Sequence, residues 1–270
     1  MATKNISESQ ALSPTPLAWR MNMQTLMTGL MFGESPRWHD GHLWFADWGT
    51  HEIIAVDDDG KSESVLRLQL SAFQPISIDW LRGGRLLIVS SRDDRLLRRE
   101  LDGSLVTHAD LSGLTKGWNE IVVDGRGNIY VNSVGFDMMA GEKFSPGIIV
   151  MVASDGSVRP VADGFAFANG MAVTPDNSTL IVAESYGKKF TAFDIAADGQ
   201  LSNRRTWADL RNGVPDGICI DAQEAVWYAD VPISAACAFA KAARYSKQWN
   251  RNWAASLACS EGQVAQRCSS

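Results

Sequence analysis

Short apolar runs recur along this chain at near-constant spacing, each after a small polar turn. They are LWFAD (43–47), LLIVS (86–90), IYVNS (129–133), LIVAES (180–185) and VWYAD (226–230). Runs this short, rich in aliphatic and aromatic residues and bounded by Gly, Asp and Pro, predict strands, and helical periodicity is poor before residue 233. A second series, Asp59-Gly60, Asp102-Gly103, Asp155-Gly156 and Asp198-Gly199, is spaced by 43, 53 and 43 residues. Asp-Gly suits tight hairpins, because Gly tolerates positive φ and Asp bonds its own backbone. Each unit therefore reads as an inner strand, a turn, a second strand, a loop and an outer hairpin. Units of this length repeated along a chain predict the blades of an all-β propeller. A parallel α/β fold would need helical crossovers, which this pattern does not supply. The longer interval places an insertion at 136–146 (FDMMAGEKFSP), either a loop over the channel mouth or a plain surface loop.

An oxygen-bearing side chain stands five residues before each turn: Glu34, Gln74 (before Asp79), Asn119, Asn169 and Asp216, at intervals of 40, 45, 50 and 47. Equivalent positions of propeller blades converge on the central channel. Glu34 and Asp216 bring two negative charges there, and Asn119 and Asn169 two neutral carbonyl oxygens. That mixture suits one divalent metal ion, Ca²⁺ foremost, with Zn²⁺, Mn²⁺ or Mg²⁺ as alternatives. A metal with open positions polarises a substrate carbonyl, and a carboxylate beside it can take a proton from water. Asp216, held between Pro215 and Gly217, is the best-placed base. Trp118, beside Asn119, either packs between blades or lines the substrate pocket.

Composition narrows the partners. A net charge of −6 with no uninterrupted basic run argues against nucleic acid. No apolar stretch approaches the roughly 20 residues of a membrane helix. The N-terminus has no apolar signal-peptide core, and the four cysteines give no disulfide framework, so a cytoplasmic protein is expected. Residues 1–24 read as a polar, disordered extension and 25–232 as the propeller. The tail 233–270 differs in kind: Ala-rich, with the repeat gone. Read one base out of frame from Ile233, degenerate codons for this stretch can encode QRCVRVREGGEVLQTVE and, shortly after, LGCFACMLGG. The tail is thus expected to be an out-of-frame translation, or else an authentic Ala-rich helix.

Four motifs, GESPRWHDGHLWFAD, WNEIVVDGRGNIYVN, NGMAVTPDNSTLIVAES and VPDGICIDAQEAVWYAD, resemble the senescence-marker-protein/gluconolactonase (regucalcin-like lactonase) family, in the family's order across residues 25–232. The resemblance implies a six-bladed propeller, here with its sixth blade replaced after Pro232, and one catalytic divalent metal in the channel. Carried over by motif, Glu34, Asn169 and Asp216 are metal ligands. Asp216 is also the general base, and Asn119 is a metal or substrate ligand. The implied reaction is hydrolysis of sugar lactones and related esters, with a small-molecule lactone as partner. The alternatives are a non-catalytic metal- or ligand-binding propeller and an organophosphate or ester hydrolase. Many relatives carry a substrate-binding Arg two residues before the Asn119 position. This chain has Gly117 there, with Lys116 one place earlier.

Overall fold

The computed structural model describes residues 23–70, 73–233, 235–239, 247–248 and 263–268. These residues form an all-β propeller, with five four-stranded antiparallel sheets among them. The first is β2 (Gly33–His39), β3 (His42–Asp47), β4 (Glu52–Val56) and β5 (Ser62–Arg67). The second is β6 (Ile76–Trp80), β7 (Leu86–Ser90), β8 (Arg95–Arg99) and β9 (Leu105–Asp110). The third is β10 (Trp118–Val123), β11 (Ile129–Ser133), β12 (Gly147–Val152) and β13 (Val158–Phe165). The fourth is β14 (Ala168–Val173), β15 (Thr179–Glu184), β16 (Lys189–Ile195) and β17 (Leu201–Asp209). The fifth is β18 (Pro215–Ile220), β19 (Val226–Asp230), β20 (Ala235–Phe239) and β21 (Lys247–Gln248). A separate pair joins β1 (Met23–Leu30) to β22 (Gln263–Cys268). Strand order within each sheet follows chain order, as the hairpin signals predict.

The second strand of each sheet is apolar through its middle because both of its faces are covered. In β11, Ile129 and Val131 pack with Leu87, Val89 and Trp118, while Tyr130 between them packs with Met171, Leu180 and Phe193. Successive side chains of a strand point to opposite faces, so one strand serves two inter-sheet cores. The same holds between the fourth and fifth sheets, where Ile181, Phe190, Ile218 and Tyr228 meet. The Asp-Gly hairpins close third strands onto fourth: Gly60, Gly103, Gly156 and Gly199 all have positive φ. The Asp side chain three residues before the fourth strand accepts the backbone N–H two residues on, at Ser104, Ser157 and Gln200.

Two boundaries differ from the sequence reading. The break was expected after the fifth blade, yet β20 and β21, both beyond Pro232, complete the fifth sheet itself. The sequence periodicity registered inner strand pairs, and each blade also needs its outer hairpin. At the other end β1 begins at Met23, two residues inside the expected extension. The disorder expected for the extension falls on residues 1–22, and most of the tail on 240–246, 249–262 and 269–270, all outside the described residues.

β1 covers one face of the first sheet. Leu26 and Leu30 bury themselves against Leu43, Phe45, Ile54 and Val56. Leu26→Ala should lower unfolding stability by about 2–5 kcal/mol. Thr28→Ala, on the exposed side of the same strand, should stay within about 0.5 kcal/mol. Urea denaturation of the two variants checks the pair.

Candidate functional site

Four of the five inner strands carry the same kind of irregularity. Trp118 pairs with Ser133, Ala168 with Glu184 and Pro215 with Asp230, and each strand bulges directly afterwards; in the first sheet Gly33 pairs with Asp47 and Glu34 with Ala46, and the bulge follows one residue later. The residue next after each closing pair is Glu34, Asn119, Asn169 or Asp216, the last three inside the bulge and Glu34 directly before it. A bulge re-aims a side chain that regular pleating would direct into an inter-sheet core. All four are half-buried.

The second inner strand breaks the series. Its pairing runs without a bulge from Ile76–Ser90 to Trp80–Leu86, which puts Ser77 at the equivalent position. Gln74 lies two residues before β6 and is out of phase, because the turn falls at Leu81–Arg85 and not at Asp79. Asp79 sits inside the strand, where its carboxylate accepts Trp80 N at 2.8 Å and Val123 N at 2.7 Å. Gln74 is only 4% exposed, and its amide is without a hydrogen-bond partner among the described residues. Trp118 is fully buried with Leu87, Ile121 and Val150, and has no surface to offer a substrate.

Hydrogen bonds tie the ring together sheet to sheet. Ser77 Oγ donates to Asn119 O at 2.5 Å, Asn119 Nδ2 to Ala168 O at 3.3 Å, and Asn132 Nδ2 to Asn169 O at 2.6 Å. Asn169 Nδ2 donates to Ser185 Oγ at 3.3 Å, and Ser185 Oγ to Pro215 O at 2.6 Å. In three of the sheets the carboxylate ending the second strand fixes the approach. Asp47 accepts Met31 N and Phe32 N at 2.9 and 3.0 Å, Glu184 accepts Ala166 N at 2.9 Å, and Asp230 accepts Val214 N at 3.1 Å. These carboxylates were legible only as strand ends. Two further residues escaped sequence reasoning. Glu120 Oε1 accepts Ser35 Oγ at 3.1 Å, Arg37 Nη2 at 3.0 Å and Ile121 N at 2.9 Å, a buried strut between the first and third sheets.

The carboxylates of the ring are electrostatically strained. Burial pushes Glu34 well above the usual carboxylate range, and the negative charges of Asp216 and Glu120 push it further. Burial likewise raises Asp216, to about 6, against a hydrogen bond from Asn169 that lowers it. Arg37 is spent on Glu120 and on the Ile121 carbonyl at 2.8 Å.

No cluster of three His, Cys, Asp or Glu side chains suited to a metal occurs among the described residues. The donor set of the ring is of another kind: two carboxylates that repel each other, and two asparagines. The amide NH₂ of each asparagine is engaged with protein, which leaves its carbonyl oxygen as the donor atom. Hard divalent cations take such oxygens, and a cation would relieve the repulsion. The residues fit the metal that the family resemblance implies.

A profile of the SMP-30/Gluconolactonase/LRE-like region matches residues 32–255. This chain belongs to that family. It is 28% identical over 205 residues to regucalcin of Xenopus laevis, spanning 73% of this chain and 67% of that one. It is 24% identical over 209 residues to the pentonolactonase XacC of Haloferax volcanii, spanning 75% and 67%. The fold matches a gluconolactonase of Xanthomonas campestris with a TM-score of 0.71 at 22% identity, over 86% of this chain and 80% of that one. Among the described residues no helix is long and apolar enough to cross a membrane.

Gly170 sets the spacing between two ring members. A Cβ there would lie 2.5 Å from Ile218 N and 2.7 Å from Asp216 O, both backbone atoms that cannot swing aside. Gly170→Ala should therefore push β14 from β18 and lower unfolding stability by about 1–3 kcal/mol. Urea denaturation measures this, with circular dichroism confirming an intact sheet.

Proposed function

We propose that this chain is a metal-dependent hydrolase that opens lactones to hydroxy acids. The observation that carries the reading is the common position of Glu34, Asn119, Asn169 and Asp216, each one residue past the closing pair of its inner strand, with two mutually repelling carboxylates among them. Glu34, Asn169 and Asp216 would hold one divalent ion, with Asn119 as a further oxygen donor to the metal or the substrate. When bound, the ion supplies Lewis acidity toward the lactone carbonyl. Asp216 accepts the proton of the attacking water at a carboxylate oxygen and returns it to the departing ring oxygen. Ser185, bonded to the Pro215 carbonyl and to Asn169, keeps Asp216 and Asn169 in register. The Arg37–Glu120 strut holds Ser35, and with it the bulge that follows Glu34. The names of the family relatives support a lactone as substrate. A cytoplasmic location stays part of this proposal.

Acid release from a lactone panel, followed by pH-stat with and without chelator, tests the reading. Chelation should abolish turnover and Ca²⁺ or another divalent ion should restore it. Asp216→Asn should cost about 10²–10⁴-fold in kcat, because an amide cannot accept the proton. Glu34→Gln should chiefly weaken the metal, as ligand charge sets affinity, and Gln74→Ala should do neither. Chelator-resistant turnover would refute the metal, and an active Asp216→Asn at saturating metal would refute the base. Metal binding without turnover of any lactone would favour the non-catalytic propeller.

The tail belongs to the same proposal. Read out of frame, RCVRV-REGG-EVLQTVE has the strand, glycine turn and strand of an outer hairpin, at the place where β20 and β21 finish the fifth sheet. LGCFACMLGG would then open the sixth blade that the family resemblance implies. The coding DNA around Ile233 decides: one restored base should extend the open frame, and an early stop codon in the alternative frame would make the tail native.

A further inference from the structure

We infer that the channel mouth selects a lactone bearing an apolar, ring-sized substituent over a polyhydroxylated sugar lactone; the inference rests on the lactonase reading above. The residues two places ahead of the ring side chains Glu34, Asn119, Asn169 and Asp216 are Phe32, Gly117, Phe167 and Val214. No side chain at these four approach positions is charged or able to hydrogen-bond a hydroxyl. At Gly117, φ is +67°, and a Cβ would lie 2.6 Å from Val134 Cγ2 and 2.7 Å from Phe136 O. The loop after β11 thus fills the space that a side chain at this position would occupy. The neighbouring cation is committed as well: Lys116 Nζ is bonded to Glu142 on that same loop.

An aromatic wall stands there instead. Phe136 lies with ring centroids 5.9 Å from Phe144 and 6.0 Å from Phe167, and Phe167 lies 4.8 Å from Tyr186. The wall is continuous with the ring, since Tyr186 follows Ser185, the residue bonded to both Asn169 and the Pro215 carbonyl. Phe167, a non-glycine residue at φ +63°, directly precedes the strand carrying Asn169. Phe144 and Tyr186 remain 50% and 55% exposed. At the first two inner strands a second group repeats the arrangement, with Phe32 5.2 Å from Trp48 and 5.4 Å from Phe73. Aromatic faces also stack on sugars, but a polyhydroxylated ring needs hydrogen-bond partners around its rim, and leaving them unmade is costly. An apolar substituent loses nothing at such a wall and gains by leaving water.

The test uses the full chain loaded with Ca²⁺ and two δ-lactones, δ-phenyl-δ-valerolactone and glucono-δ-lactone. The kcat/KM of the phenyl lactone should exceed that of the sugar lactone by about tenfold or more. In Phe144→Ala/Tyr186→Ala, both exposed positions, that ratio should fall about tenfold, through the KM of the phenyl lactone. A second arm uses δ-phenyl-δ-valerolactam, which resists opening, and reads its binding by tyrosine and tryptophan fluorescence. It should bind the parent protein about tenfold more tightly than the double variant. Preference for the sugar lactone, or a ratio and lactam affinity that the double variant leaves alone, overturns the inference while the hydrolase reading stands. If neither lactone opens but the lactam binds through Phe144 and Tyr186, the hydrolase reading fails and the apolar mouth stands.

Discussion

One extra residue in an inner strand is the constraint on which this site depends. A regular antiparallel strand alternates its side chains between two faces, and in a propeller blade both faces belong to hydrophobic cores. Asn119, Asn169 and Asp216 escape that alternation because the strand bulges where they stand, and Glu34 stands directly before the bulge of its own strand. The bulge is held from two sides. In three of the sheets the carboxylate closing the second strand captures backbone N–H groups on the approach, as Asp47 does for Phe32 and Asp230 for Val214. Neighbouring sheets then grip the backbone of the bulge itself, as Ser77 does through the Asn119 carbonyl.

Charge is distributed with the same economy. Glu120 and Arg37 satisfy each other below the ring, where an unpaired buried charge would be strongly destabilising. Among the described residues Glu34 and Asp216 have no comparable cationic partner, and burial drives both toward their neutral forms. Two acids so perturbed and electrostatically coupled are the kind of arrangement that clusters at functional sites.

The strands, the outer hairpins and four of the ring residues were readable because they follow local rules: apolar runs, Asp-Gly turns, and a fixed distance from a turn. The fifth ring position was misread for an equally local reason. Asp79 imitates a turn residue in sequence, but its carboxylate is spent on the backbone of Trp80 and Val123, and Ser77 takes the place assigned to Gln74. The Arg37–Glu120 strut joins residues 83 positions apart, so no window along the chain contains both. Trp118 looked equally able to face the channel or the core, and the bulge begins one residue too late to bring it inward. The blade boundary near Pro232 was misplaced because the repeat was counted from inner strands, while the third and fourth strands of a blade follow them in the chain.

The unbulged second strand has a consequence of its own. Four blades present a long oxygen-bearing side chain at or directly before a bulge, and the second presents only the short hydroxyl of Ser77 from a regular strand. The circle of donors therefore has a low side. Rotational pseudosymmetry would make every approach to the centre equivalent; this vacancy in the pattern gives the centre a front and a back. The five described blades thus set unlike atoms on opposite sides of one centre, and that centre differs from one direction of approach to the next.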